Sequence, residues 1–215
     1  MIKENKRILM ITSLIILLPV LVGLLLWHQL PEQIPVHFNS EGVADSYQSK
    51  LWGVTFIYLV IFACHWFAAI ITSVDPRRRN ISSKIYRLVL WICPVISVFV
   101  GVTIYGTALN WPWVNINFMA NLLLGVIFIV IGNYLPKCRQ NYTVGIKVPW
   151  TLASEANWDA THRMAGKLWV AGGVLILLLA IQPWIPAFPI SLVLILAVTF
   201  IPMIYSFVYY LRNEK

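Results

Sequence analysis

Apolar residues run along this chain in long blocks separated by short polar stretches, rather than alternating or lining one helical stripe. Six blocks have about the length at which a helix spans roughly 30 Å of hydrocarbon: residues 8–30, 51–74, 86–109, 116–135, 165–181 and 188–211. The fifth is the shortest, and an earlier start or a smaller tilt would let it cross. Apolar side chains stand all around each segment, which predicts helices facing lipid and one another. In lipid every backbone N–H and C=O must be paired internally, so helices are the expected form. The predicted class is all-α: one six-helix integral membrane domain over residues 1–215, with a cytoplasmic interfacial helix between helices four and five.

Composition agrees, with 60% hydrophobic and 11% charged residues, too few charges to cover a soluble domain of this length. Lys3, Lys6 and Arg7 precede the first block, as in a signal peptide. That block ends in Trp27-His28-Gln29-Leu30-Pro31 without a small-residue cleavage site, so it reads as a retained helix.

Basic residues set the expected orientation. With six crossings, the amino terminus, second and fourth connections and carboxyl terminus share a side. That side holds Lys3, Lys6, Arg7, Arg77, Arg78, Arg79, Lys84, Arg87, Lys137, Arg139, Lys147, Arg163, Lys167, Arg212 and Lys215; the other holds Lys50 alone. The basic side is expected to be cytoplasmic, with both termini inside a bacterial cell membrane. The net charge of +8 then reflects topology and contact with membrane lipids, with no direct nucleic-acid binding. Cys64 and Cys93 fall in helices two and three and Cys138 on the cytoplasmic side, an odd set that predicts no structural disulfide. Trp27, Trp52, Trp111, Trp113 and Trp184 fall at the expected outer boundary, and Trp91, Trp150, Trp158 and Trp169 at or near the inner one.

The outer loop, 31–50, reads PEQIPVHFNSEGVADSYQSK. Pro31 and Pro35 favour an extended path, and Asn39-Ser40-Glu41-Gly42 is a turn signal. His37, Glu41, Asp45, Lys50 and Trp52 are the candidate outer binding residues. A His beside carboxylates could read pH or hold a cation, but no ligand pair has metal-site spacing, and any outer loop is polar because water covers it. No metal or other cofactor is expected.

The inner loop, 136–164, contains a turn or short extended segment around Gly145, then a restart at Pro149. Thr151 or Ser154 can cap the next helix, with Glu155 in its first turn. Glu155, Asp159 and His162 share one face, while Trp158, Ala165 and Trp169 line an adjacent face able to lie on the membrane. Lys147, Trp150, Thr151, Glu155, Trp158, His162 and Arg163 are the candidate inner binding residues. A membrane enzyme using His162 and Glu155 is one alternative, although no HExxH, GxSxG or P-loop motif is present. In the bland reading Asp159 pairs with Arg163 and His162 packs beside Trp158.

Within the membrane the polar exceptions are His65, Asn121 and Asn133, which mark either a path for protons or interhelical hydrogen bonds. Leu30-Pro31 before a loop that leads into Lys50-Leu51-Trp52 corresponds to Leu135-Pro136 before a loop that leads into Lys167-Leu168-Trp169. That correspondence suggests a 3+3 inverted repeat, as in transporters, and makes a small transporter or exporter the second alternative.

At the two loops the sequence resembles the SdpI family of bacterial membrane proteins. LPEQIPVHFNSEGVADSYQSK resembles the DUF1648 part at that family's amino end, here over 8–60. GNYLPKCRQNYTVGIKVPWTLASEANWDATHRMAGKLWVAGG resembles the SdpI signature, here over 132–173. The resemblance implies a non-enzymatic immunity and signal-transduction protein. Its outer face would meet a secreted, membrane-active peptide toxin, and its inner loop a small transcriptional autorepressor.

Overall fold

The computed structural model describes residues 1–182 and 187–213. Its elements in chain order are helix α1 (Lys6–Leu25), strands β1 (Gln33–Phe38) and β2 (Ala44–Ser49), and helices α2 (Lys50–Val74), α3 (Ser83–Ala108), α4 (Ile116–Tyr134), α5 (Pro149–Ala153), α6 (Glu155–Ala180) and α7 (Ala187–Asn213). All of the helices but α5 are long and apolar enough to cross a membrane, six in all. Leucine, isoleucine, valine and phenylalanine side chains remain exposed along them, the surface that lipid covers in a multi-pass membrane protein. Residues 183–186, with Trp184, and Lys215 lie outside the described residues.

Two boundaries differ from the apolar blocks. Helix α1 ends at Leu25, and the chain continues to Leu30 as turns, with Leu30 N donating to Leu26 O at 3.0 Å. Helix α6 begins ten residues before its apolar block. Ser154 caps it, its Oγ accepting from Asn157 N at 3.2 Å, and Glu155 sits in the first turn. No proline interrupts the sequence that follows, so the amphipathic segment and the fifth span are one helix. The separate helix before it, α5, has only five residues.

The chain divides into two compact units, Met1–Ile70 with Arg87–Leu123, and Ile71–Tyr86 with Leu124–Lys215. In the first unit, α1 buries Leu9, Thr12, Ser13, Ile16, Pro19 and Gly23 at helical spacing. Side-chain hydrogen bonds tie this face to its neighbours: Ser97 Oγ donates to Ile16 O at 2.8 Å and Tyr105 OH to Pro19 O at 2.9 Å. Thr12 Oγ1 lies 3.1 Å from His65 Nε2. The intramembrane His65 is thus buried in an interhelical hydrogen bond. Of the other two polar exceptions, Asn121 is buried, its Nδ2 donating to Asn117 O at 2.7 Å, and Asn133 is exposed.

In the second unit, α4 and α6 approach through paired glycines. A Cβ on Gly132 would lie 3.0 Å from Gly166 O, and one on Gly166 2.8 Å from Gly132 O. Seven residues away along each helix, a Cβ on Gly125 would lie 2.9 Å from Gly173 O, and one on Gly173 2.7 Å from Gly125 O. The order of these pairs makes the helices antiparallel, as successive crossings must be. Small residues bring backbones together where lipid supplies no hydrophobic drive between helices. Helix α7 packs on α6 around Phe128, Ile176 and Val198, and Trp169 Nε1 donates to Val198 O at 2.8 Å.

The connecting segments of the suggested repeat differ in fold. One is a two-stranded hairpin, the other an irregular turn followed by α5.

Candidate functional site

The hairpin β1–β2 belongs to the first unit. Ile34 and Pro35 are buried at its base, and Ile34 joins a cluster with Leu30, Val54, Tyr58, Ile104 and Tyr105. The turn signal is met as read: Asn39 Oδ1 accepts from Glu41 N and Val43 N, both at 3.0 Å, and Gly42 takes φ +80°. That left-handed conformation suits glycine, which has no Cβ to clash.

Two side-chain contacts brace the hairpin. His37 Nδ1 lies 2.5 Å from Asp45 Oδ1 across the strands, both side chains exposed. Lys50 is buried at the start of α2; its Nζ donates to Glu32 Oε1 at 2.8 Å and Trp27 O at 3.2 Å, and lies over the Trp27 ring. Lys50 therefore ties the two ends of the loop together and is not presented to a ligand. Glu41, Val43, Tyr47 and Trp52 are exposed, and Trp52 packs edge-on against Phe56 with centroids 5.2 Å apart. An exposed apolar and aromatic surface beside a His–Asp pair is therefore what the hairpin offers.

The second candidate is the turn between α4 and α5, residues 138–148, with the start of α6. Trp158 and His162, one helical turn apart on α6, are fully buried and stacked, with ring centroids 4.1 Å apart. Trp158 Nε1 donates to Cys138 O at 2.7 Å. His162 Nδ1 lies 2.8 Å from Trp158 O, which can only accept, and Ile146 N donates to Nε2 at 2.9 Å. These partners fix the neutral ring with its proton on Nδ1. Gly145, at φ +120°, lies directly against the rings: a Cβ there would stand 2.5 Å from His162 Nε2 and 2.9 Å from Trp158.

Hydrogen bonds from other segments complete the clamp. Asn141 Oδ1 accepts from Val144 N at 2.7 Å and Thr143 N at 2.9 Å, while Nδ2 donates to Arg139 O and Val144 O. Thr151 Oγ1 donates to Ile146 O at 2.9 Å and accepts from Val148 N at 3.1 Å. Gln140 Nε2 donates to the carbonyls of Thr151 and Leu152, and Gln140 Oε1 accepts from Arg77. Asp75, buried, accepts from Tyr142 N at 2.9 Å and Arg77 N at 2.6 Å; Asn80 Nδ2 donates to Gln140 O at 2.7 Å. Trp150 Nε1 donates to Ser206 Oγ on α7, and Asn157 Nδ2 to Ser206 O at 3.0 Å.

Several expectations need correction. Trp158 and Ala165 do not lie on a membrane face; both are fully buried in protein, because the indole N–H has a carbonyl to satisfy inside the fold. Asp159 and Arg163 form no ion pair among the described residues. Asp159 instead lines a polar pocket of about 270 Å³ with Asn80, Arg139, Gln140 and Glu155. His162 and Glu155 do not converge: His162 is buried with both nitrogens engaged, and Glu155 is exposed. A general base must reach a substrate proton, and this ring has no free acceptor to do so. Burial pushes the Cys138 thiol up to about 11, which keeps it from acting as a thiolate nucleophile at neutral pH. Among the described residues no three His, Cys, Asp or Glu side chains converge as a metal site would require. Lys147 is exposed and donates to Thr143 O at 2.9 Å.

Asp75, Asn80, Gln140, Asn141, Asn157 and Ser206 were missed as site residues. Asn141 had a readable signal, since Asn-x-Thr-x-Gly favours an Asx turn. Asp75 and Ser206 had none, for their partners are remote in sequence.

Comparison with known proteins covers both regions. Residues 137–210 match the SdpI/YfhL protein family, and residues 14–62 match the domain of unknown function DUF1648. The chain is 25% identical over 205 residues to the immunity protein SdpI of Bacillus subtilis (strain 168), covering 93% of this chain and 94% of that one. No solved structure matches. The hairpin thus falls in the DUF1648 match and the Trp158–His162 clamp in the SdpI/YfhL match; the chain is a multi-pass membrane protein similar to SdpI along nearly its whole length.

Proposed function

We propose that this chain is a non-enzymatic immunity protein of the bacterial cytoplasmic membrane, acting against a secreted, membrane-active peptide. The observation that carries this reading is end-to-end similarity to an immunity protein, spanning both candidate sites. The excess of basic residues on one side supports a reading with both termini and the clamp in the cytoplasm and the hairpin outside.

The geometry supports a division of labour. On the outside, exposed Trp52, Tyr47 and Val43 present an amphipathic surface at the start of a span, where a membrane-active peptide lies and where aromatic side chains are favoured. The His37–Asp45 pair and Glu41 add polar contacts for a cationic or amidic peptide. On the inside, exposed Lys147 and Glu155 in the wall of the polar pocket offer charged contacts to a small cytoplasmic repressor protein. Such a repressor would be retained only if peptide binding favours one state of the protein over another.

The test is survival. Sensitive cells expressing the chain should outlive empty cells when challenged with secreted membrane-active peptides. Trp52→Ala combined with Tyr47→Ala should reduce that protection at equal membrane abundance. Equal survival of expressing and empty cells across the peptides tested overturns the immunity reading.

A further inference from the structure

We propose that the start of α6 carries a binding site for an anionic phospholipid. A groove of about 840 Å³ runs beside α6, lined by Pro136, Arg163, Met164, Lys167, Leu168 and Tyr205. Arg163 and Lys167 are one helical turn apart and both exposed. Among the described residues neither forms an ion pair, and the nearby Asp159 faces the polar pocket instead.

Two like charges at i,i+4 repel along a helix by about 0.2–0.5 kcal/mol, a cost that a bridging anion or water around them relieves. Water suits the charged tips, but the remaining walls (Met164, Leu168, Pro136 and the Tyr205 ring) are apolar. A soluble anion would leave those walls wet. An anionic phospholipid answers both halves: its phosphate bridges Arg163 and Lys167, and its acyl chain runs along Leu168 and Tyr205 toward the span. Arg163 supplies a planar fork that takes two phosphate oxygens, and Lys167 a point charge. The position fits, because Lys167 lies where α6 passes from polar to apolar sequence. The proposal is independent of the immunity reading, since it rests on this groove alone.

The full-length protein in detergent is titrated with phosphatidylglycerol and phosphatidylcholine, and bound lipid is counted by native mass spectrometry. Each basic residue near a membrane surface is worth about fivefold in affinity for anionic lipid. Arg163→Gln or Lys167→Gln should therefore weaken phosphatidylglycerol binding about fivefold, and the double substitution about thirtyfold, leaving phosphatidylcholine unchanged. Arg78→Gln with Arg79→Gln, which line no part of the groove, should weaken phosphatidylglycerol binding clearly less than the groove pair does. Glycerophosphoglycerol without acyl chains, and inorganic phosphate, should fail to compete. Both side chains are exposed, so the variants should fold. A variant that nonetheless misfolds is replaced by the unmodified protein, whose preference for phosphatidylglycerol must fall as salt rises. Undiminished binding by the double variant, or loss of preference equally in Arg78→Gln/Arg79→Gln, overturns the site. Competition by inorganic phosphate replaces it with a soluble-anion site, and no preference between the two lipids removes it.

Discussion

His162 is the residue whose replacement separates the forces in the clamp. Its Nε2 is the acceptor for Ile146 N–H, and its ring stacks on Trp158. His162→Ala removes both. Leaving the Ile146 N–H without a partner costs about 1–3 kcal/mol, and losing the stacked ring about 0.5–1.5 kcal/mol. The expected local destabilisation is about 2–4 kcal/mol. His162→Phe keeps a ring on Trp158 but offers no acceptor, so it should lose mainly the hydrogen-bond share. His162→Gln carries an amide oxygen near the position of Nε2 and should lose least. Hydrogen exchange of the 143–148 backbone in purified protein reads this directly, because protection reports local opening. A loss of about 2 kcal/mol accelerates exchange about thirtyfold. The expected order of protection is wild type, Gln, Phe, Ala. Wild-type protection in a folded His162→Ala protein would refute the clamp. Wild-type protection in His162→Phe would show that the ring, not the acceptor, holds the turn.

Other consequences follow from the same unit. Gly166→Val would place side-chain atoms within 2.8 Å of Gly132 O and 2.6 Å of Pro136. It should cost about 3 kcal/mol or more, as overpacking does at its upper range, and lower the detergent melting temperature; unchanged melting refutes the close approach of α4 and α6. Cys138, with its pKa pushed up to about 11 by burial, is overwhelmingly the neutral thiol at pH 8. In a Cys64→Ser/Cys93→Ser background it should react slowly with a maleimide and faster once Trp158→Ala removes its cover; rapid wild-type labelling contradicts the buried setting. Asp75→Ala removes the acceptor for Tyr142 N and Arg77 N and should cost about 1–3 kcal/mol for each donor left buried and unpaired. Hydrogen exchange at 140–144 checks this, and unaltered protection there would remove Asp75 from the clamp.

The six spans were legible because continuous apolar length is a one-dimensional signal that needs no knowledge of partners. The hairpin tip was legible too, since Asn39 and Gly42 satisfy a local turn chemistry. What escaped was long-range. Trp158 and His162 lie at the amphipathic start of a span, where a membrane-facing Trp and a core Trp have the same sequence appearance. Only the carbonyl of Cys138, twenty residues away, distinguishes the two. Lys50 similarly read as a lone outer charge, and its burial depends on Glu32 and Trp27 closing around it. The start of α6 was displaced because an apolar count begins where charges end, whereas a helix begins where Ser154 caps it.

In the proposed function the hairpin lies outside the cell and the clamp in the cytoplasm. Glu41→Cys and Glu155→Cys, made singly in a chain lacking the native cysteines, place one exposed thiol at each site. A membrane-impermeant maleimide applied to intact cells should label position 41 at once and position 155 only after the membrane is opened. Labelling of position 155 in intact cells, with position 41 protected, would contradict the account.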